Sequence, residues 1–126
     1  MKINREVFKK IVDDYYSTAP PFKFTLALDF DNCICASSYP ECGDETPVCN
    51  FIRSIQDLDI IIILNACREG YNLKSALDWC KEHCIRIDYA NENDPDRIRV
   101  FGDCRKIACT VSIDDTNLMF STLDFD

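Results

Sequence analysis

The sequence predicts an α/β fold: a Rossmann-like three-layer sandwich around a central parallel sheet. Three observations carry this reading. Short apolar runs at 23–29, 59–65 and 109–114 alternate with stretches of helical periodicity. The run Ile60-Ile61-Ile62-Ile63 is β-branched throughout, the composition of a strand covered on both faces. Two of the runs end in paired carboxylates: Leu26-Ala27-Leu28 leads into Asp29-Phe30-Asp31, and Val111-Ser112-Ile113 into Asp114-Asp115. In open parallel sheets the carboxyl ends of the strands are where ligands bind.

Along the chain, Val7, Ile11 and Tyr15 recur every fourth residue and predict a helix over 4–17, ended by Pro20-Pro21. The first strand follows at 23–29. Residues 30–46, with Asn32, Pro40 and Gly43, read as a loop or short flap. Thr46 and Pro47 suit the cap and first position of a helix over 47–56. The second strand spans 59–65. A helix over 71–83 carries Leu73, Ala76, Leu77, Cys80 and Cys84 on one face, with Trp79 at its border. His83 falls in its last turn, where a structural role outweighs a catalytic one. Residues 85–90 read as a third strand and 91–104 as a long loop in which Ile98–Phe101 pair locally. The last strand is 109–114.

At 126 residues the chain is expected to be one domain, 1–126, with a helical extension at 1–22, a core at 23–117 and a tail at 118–126. A net charge of −8 argues against a nucleic-acid partner, because phosphate backbones need Lys and Arg to neutralise them. The longest plainly apolar stretch, Ile60 to Leu64, is far short of the ~20 residues of a membrane span. The first residues are not followed by the apolar region of a secretory signal, so a cytoplasmic location is expected. Nine cysteines without such a signal point to reduced thiols, buried or at the surface. Cys33, Cys35, Cys42 and Cys49 match no standard zinc spacing.

Two strands ending in carboxylate pairs concentrate negative charge, and like charges held close raise each other's pKa. Mg2+, a hard cation that prefers oxygen ligands and keeps several waters, would relieve the repulsion. The chemistry this pattern suits is metal-assisted phosphoryl transfer. Asp29 serves as nucleophile and Asp31 as proton donor to the leaving oxygen. Asp114 and Asp115 hold the metal, and Lys106 neutralises charge shared by nucleophile and phosphate.

At these residues the chain resembles the haloacid dehalogenase (HAD) superfamily. Leu28-Asp29-Phe30-Asp31-Asn32-Cys33-Ile34 is similar to its first motif, and Lys106 with Ser112-Ile113-Asp114-Asp115 to its third and fourth. The likeness is to small members without a cap domain. It extends through Tyr39-Pro40, Arg68-Glu69-Gly70, Trp79-Cys80, Asn91-Glu92-Asn93 and Arg105-Lys106, ending at Thr116-Asn117. The resemblance implies a HAD-like fold without a cap and an aspartyl-phosphate mechanism on a small phosphorylated substrate. It implies Asp29, Asp31, Asp114 and Asp115 as the Mg2+ ligands, Asp31 through its backbone carbonyl and Asp115 either directly or through water. The family's phosphate-binding Thr or Ser falls at Ala66, with Asn65 beside it, and its Thr after the first motif is Cys33. Arg68 either contacts substrate or pairs with a carboxylate such as Glu69 or Asp88. With only a short insertion at 34–46 the pocket is open, and specificity falls to loops or an oligomer partner. A catalytically impaired module that binds a partner or a phosphorylated ligand is the alternative. A receiver domain is disfavoured by motif order, because its acidic pair comes first and its lysine last.

Overall fold

The computed structural model describes residues 2–104, 106–114 and 124–125. Four parallel strands form the central sheet: β2 (Phe24–Leu28), β5 (Ile60–Leu64), β6 (Tyr89–Ala90) and β7 (Val111–Ile113), in the order β6-β5-β2-β7. The chain adds strands in one direction from β2 through β5 to β6, then returns to place β7 on the other side of β2. The strand order therefore reverses between β2 and β7, which in doubly wound sheets is where a binding crevice opens. Two minor pairs complete the strand set. β1 (Lys2–Ile3) runs parallel to β8 (Asp124–Phe125), and β3 (Cys35–Ser38) forms an antiparallel hairpin with β4 (Glu41–Glu45).

All five residues of β2 are buried, as an interior strand requires. Phe24, Leu26 and Leu28 face a core shared with Ile60, Ile62 and Leu64 of β5. Helices α1 (Arg5–Ser17), α2 (Val48–Ile55) and α3 (Gly70–Glu82) fill that side through Phe8, Phe51, Ile52, Ala76 and Trp79. Phe8 meets both Phe24 and Phe51 edge-on, with ring centroids 5.5 and 5.6 Å away. α1 is thus built into the core rather than appended to it. On the opposite face α4 (Pro95–Phe101) reaches β2 through the buried Arg97, which donates to Thr25 Oγ1. Arg97 is also paired with Asp94 at 2.7 Å. No described helix is long and apolar enough to cross a membrane.

Four segments depart from the expected elements. Residues 30–46 contain the β3–β4 hairpin, its tip at the cis bond between Tyr39 and Pro40. Residues 91–104 contain α4, so Ile98–Phe101 are helical and not paired. Its start is fixed by Asp94, whose side chain accepts from the Arg97 N–H, and by Pro95 in the first turn; Gly102, at φ 75°, ends it. Within 85–90 only Tyr89 and Ala90 join the ladder, because the Asp88 carboxylate takes the Ile62 N–H that a longer strand would need. Cys84 lies beyond the apolar face of α3, exposed and in the left-handed region at φ 59°.

α2 starts one residue later than expected: Pro47, with a helical backbone, is its cap rather than its first position, and the Thr46 hydroxyl accepts from the Val48 N–H. All nine cysteines are free thiols, four of them buried. Burial pushes the Cys49 thiol up to about 11 and the Cys80 thiol to about 12, so both behave as small apolar core residues.

Candidate functional site

Register builds the site. Leu28 of β2 is paired with Leu64 of β5 and Ile113 of β7, and Leu64 with Ala90 of β6. The ladder continues one step beyond: the Asn91 N–H donates to the Leu64 carbonyl, Asn65 to Leu28 and Asp29 to Ile113, at 2.8 to 2.9 Å. Asn91, Asn65, Asp29 and Asp114 therefore stand in one row across the carboxyl edge of the sheet. Asp29 and Asp114 occupy the two sides of the β2–β7 reversal. Both are partly exposed, and the Asp29 carboxylate accepts from the Phe30 N–H at 2.8 Å.

After Asp29 the chain makes a tight turn. The Phe30 carbonyl accepts from the N–H groups of Cys33, Ile34 and Cys35, and Asn32 takes a positive φ of 58°. This turn buries Phe30, Cys33 and Ile34 and turns Asp31 toward Arg68. Arg68 Nε and Nη2 donate to the two Asp31 oxygens at 2.9 and 2.6 Å, a bidentate pair. Arg68 Nη1 donates to the carbonyls of Pro40 at the hairpin tip and Asn72 in α3. Its guanidinium carbon lies 5.0 Å from the ring centroids of both Phe30 and Tyr39. The Arg68 side chain is 0% exposed. Its hydrogen bonds hold the Asp31 carboxyl below the usual carboxylate range. The partner of Arg68 is thus Asp31, not Glu69, which is exposed, nor Asp88, which pairs with Arg86 at 3.1 Å.

The Asn91-Glu92-Asn93 turn holds two loops. Asn91 Oδ1 accepts from the Ala66 N–H at 2.8 Å and its Nδ2 donates to the Arg68 carbonyl at 3.0 Å. Asn93, buried, donates to the Lys106 carbonyl at 2.9 Å and accepts from the Ala108 N–H at 2.7 Å. The loop after β5 and the loop bearing Lys106 are therefore suspended from one turn. Sequence reasoning marked Asn91 and Asn93 as loop residues and as part of a resemblance, without the clamp; two amides placed just past a strand were the signal available.

Of the expected site residues, register brings Asp29, Asn65 and Asp114 together and Arg68 joins through Asp31. Ala66 is half-buried against the core. Lys106 is exposed and forms no ion pair among the described residues. Asp115, the fourth expected metal ligand, lies outside the described residues, as do Arg105, Thr116 and Asn117. Among the described residues no group of three or more His, Cys, Asp or Glu side chains is arranged to hold a metal. Two carboxylates at neighbouring strand ends nonetheless suit Mg2+, which commonly takes one or two carboxylates and completes its shell with water. The Asp31 carboxylate is engaged by Arg68.

Beside the row, Tyr39, Ala66, Cys67, Arg68, Glu69 and Asn72 line an open cleft of 430 Å³. A larger one of 740 Å³ lies at the opposite edge of the sheet; Lys23 pairs there with Asp59 and Arg86 with Asp88, while Asp57, Asp94 and Asp96 pair with Arg5, Arg97 and Arg99 outside it. The first lies past the carboxyl end of β5, and a third, of 380 Å³, is lined by Asn91, Glu92, Asp103 and Cys104 at the same edge. His83 is structural: its ring stacks on Trp79 at 3.9 Å and its Nδ1 lies 2.6 Å from Glu45.

No protein-family model and no curated protein matches the chain. Among solved structures, it is similar to a conserved protein from Bacteroides thetaiotaomicron, with 32% sequence identity and a TM-score of 0.66. The match covers 75% of this chain and 78% of that one.

Proposed function

The chain belongs to the same family as the conserved Bacteroides thetaiotaomicron protein, and we propose that it is a HAD-like, Mg2+-dependent phosphohydrolase or phosphotransferase working through an aspartyl-phosphate. The observation that carries this reading is the placement of Asp29 and Asp114 on adjacent strand ends at the reversal of strand order. In this reading a phosphate monoester enters the open edge with its phosphorus in front of Asp29. The Asp29 carboxylate attacks, an oxygen–phosphorus bond forms, and the bond to the leaving oxygen breaks. Asp31 gives its proton to that oxygen, then takes one from the water that hydrolyses the aspartyl-phosphate. Because Arg68 grips both Asp31 oxygens, the resting protein presents Asp31 as a base; to act as an acid it must release at least one of them and take up a proton from solvent before the leaving oxygen departs.

Asn65 stands at the register level of Asp29, whereas Ala66 has no hydroxyl and is packed against the core. Asn65 is therefore the residue proposed to donate to the transferring phosphate. Lys106, on its anchored loop, supplies the positive charge. Bound Mg2+, held by Asp29, Asp114, Asp115 and the Asp31 carbonyl, would supply charge neutralisation of the phosphoryl oxygens.

The test is hydrolysis of p-nitrophenyl phosphate and acetyl phosphate with and without Mg2+. Activity should require Mg2+, and Asp29→Asn should abolish it with circular dichroism unchanged. Turnover retained by a pure Asp29→Asn preparation would remove the covalent mechanism. A second reading, a binding module without turnover, is favoured by the Asp31–Arg68 pair and by Ala66. It takes over if millimolar Mg2+ raises the melting temperature while no phosphate ester is hydrolysed.

A further inference from the structure

We propose that Asn93 is the positioning residue of Lys106: its buried amide ties the lysine's backbone to β2, the strand that leads into Asp29, and the lysine's hold on a transferring phosphate depends on that tie. The inference rests on the phosphohydrolase reading and adds to it a residue that touches neither substrate nor metal. Lys106 needs such a support. It lies between Gly102, which ends α4, and Thr110, whose N–H donates to the Thr25 carbonyl at 2.8 Å. Over 103–109 no described residue belongs to a helix or strand. Among the described residues of 104–108, the hydrogen bonds that leave the segment run to Asn93, apart from one from the Cys104 N–H to Gly102.

Asn93 is 3% exposed. Its Nδ2 donates to the Lys106 carbonyl at 2.9 Å and reaches the Cys104 carbonyl at 3.5 Å, while its Oδ1 accepts from the Ala108 N–H at 2.7 Å. One planar amide thus holds an acceptor and a donor two residues apart, which fixes the orientation of the backbone at Lys106 as well as its distance. Asn93 is held in turn by the residue after it. Asp94 is buried, caps α4 and pairs with Arg97 at 2.7 Å, and Arg97 donates to Thr25 Oγ1 on β2. The path from Lys106 through Asn93, Asp94 and Arg97 therefore ends on β2, whose last residue is followed by Asp29. One strand sets both the nucleophile and the lysine.

An amide that served the fold alone would satisfy buried partners. Those of Asn93 are not buried: Lys106 is exposed and Ala108 half-buried, so water can replace the amide at both. Removing it should cost the fold little and the site much, since a misplacement of ~1 Å in a reacting constellation can cost about a hundredfold in rate.

The experiment measures the affinity for orthovanadate in saturating Mg2+ by calorimetry, with kcat on p-nitrophenyl phosphate alongside. It compares wild type, Asn93→Ala, Asn93→Ser, Lys106→Ala and the double variant of Asn93→Ala with Lys106→Ala. Asn93→Ala should weaken vanadate binding about tenfold and lower kcat by roughly a hundredfold, with Mg2+ affinity and circular dichroism unchanged. In the Lys106→Ala background the same substitution should change either quantity less than about twofold, because the residue it acts through is gone. Either readout alone carries this cycle. Asn93→Ser keeps one hydrogen-bonding group and should recover part of the loss. Equal losses in both backgrounds, a loss of Mg2+ affinity in step with vanadate, or failure of both Asn93 variants to fold overturns the positioning role in favour of a structural one. Wild-type behaviour in Asn93→Ala or in Lys106→Ala overturns it as well, and leaves the phosphohydrolase reading in place. If the wild type neither binds vanadate nor hydrolyses the ester, that reading falls and takes the inference with it.

Discussion

Replacing Arg68 by Met is the sharpest structural test, because one side chain joins the Asp31 turn, the hairpin tip and α3. Met retains the apolar stem and deletes the charge. Breaking a buried ion pair by removing one partner costs about 3–5 kcal/mol, most of it for the charge left behind. Here the partner is not fully enclosed: the Asp31 side chain is 23% exposed, so water rehydrates it in part and the cost falls to about 2 kcal/mol. The Pro40 and Asn72 carbonyls lose their donors as well. Pro40 is exposed and turns to water, while Asn72 is half-buried and adds about 1 kcal/mol. The expected total is about 3 kcal/mol, or roughly 10 °C in melting temperature for a chain of this size. Urea and thermal unfolding without Mg2+ would measure it. Adding Asp31→Asn to the variant should recover at least about 1 kcal/mol, since no unpaired carboxylate then remains. The Asp31 carboxyl is held below its ordinary value, so the pair stabilises the protein above the usual carboxylate range and that stability is lost as pH falls through the depressed value. The gap between wild type and variant should close in that direction. A variant melting within about 2 °C of wild type, with no coupling to Asp31, would refute the view that this pair fixes the hairpin.

Asn65→Ala should lower kcat on phosphate esters by roughly two decades, the cost of one donor to a transferring group, while Ala66→Ser changes it little. Gly43→Ala should destabilise the hairpin by about 1–3 kcal/mol, because a Cβ there would lie 1.9 Å from the Ala36 carbonyl oxygen, a backbone atom that cannot swing away; urea unfolding checks it. Glu45 is held at about 2, against an ordinary 4.5, by hydrogen bonds from Arg53 and then His83. Its contribution is present above pH 4.5 and is lost as pH falls toward 2, so thermal melts of Glu45→Gln and wild type should differ at neutral pH and converge over that interval.

The sheet was legible because its strands are apolar runs bounded by polar residues, and burial is what such runs encode. The hairpin was not, because Cys35–Ser38 and Glu41–Glu45 are mostly exposed and carry little alternation. α4 was hidden by the apolar residues Ile98, Val100 and Phe101, which read as a pairing segment; the Asp94-Pro95 start and the Gly102 stop were the signals that outweighed them. At the site, the strand ends fixed Asp29 and Asp114 as neighbours once their order was guessed. The partner of Arg68 was beyond reach, because several carboxylates were equally near in sequence and the choice of Asp31, 37 residues away, is made by the turn after Phe30.

The double amide clamp has a consequence for how freely this site can change. Asn91 grips the Ala66 N–H and the Arg68 carbonyl, and Asn93 grips the Lys106 carbonyl and the Ala108 N–H: every one of these contacts is to backbone. At 66, 68, 106 and 108 the clamp reads no side chain; on the Lys106 loop Asn93 also meets the Cys104 thiol, at 3.7 Å. Residues 106 and 108 can therefore be exchanged one at a time without losing these hydrogen bonds, and the chemistry displayed at the sheet edge is free to diverge on a frame that stays still.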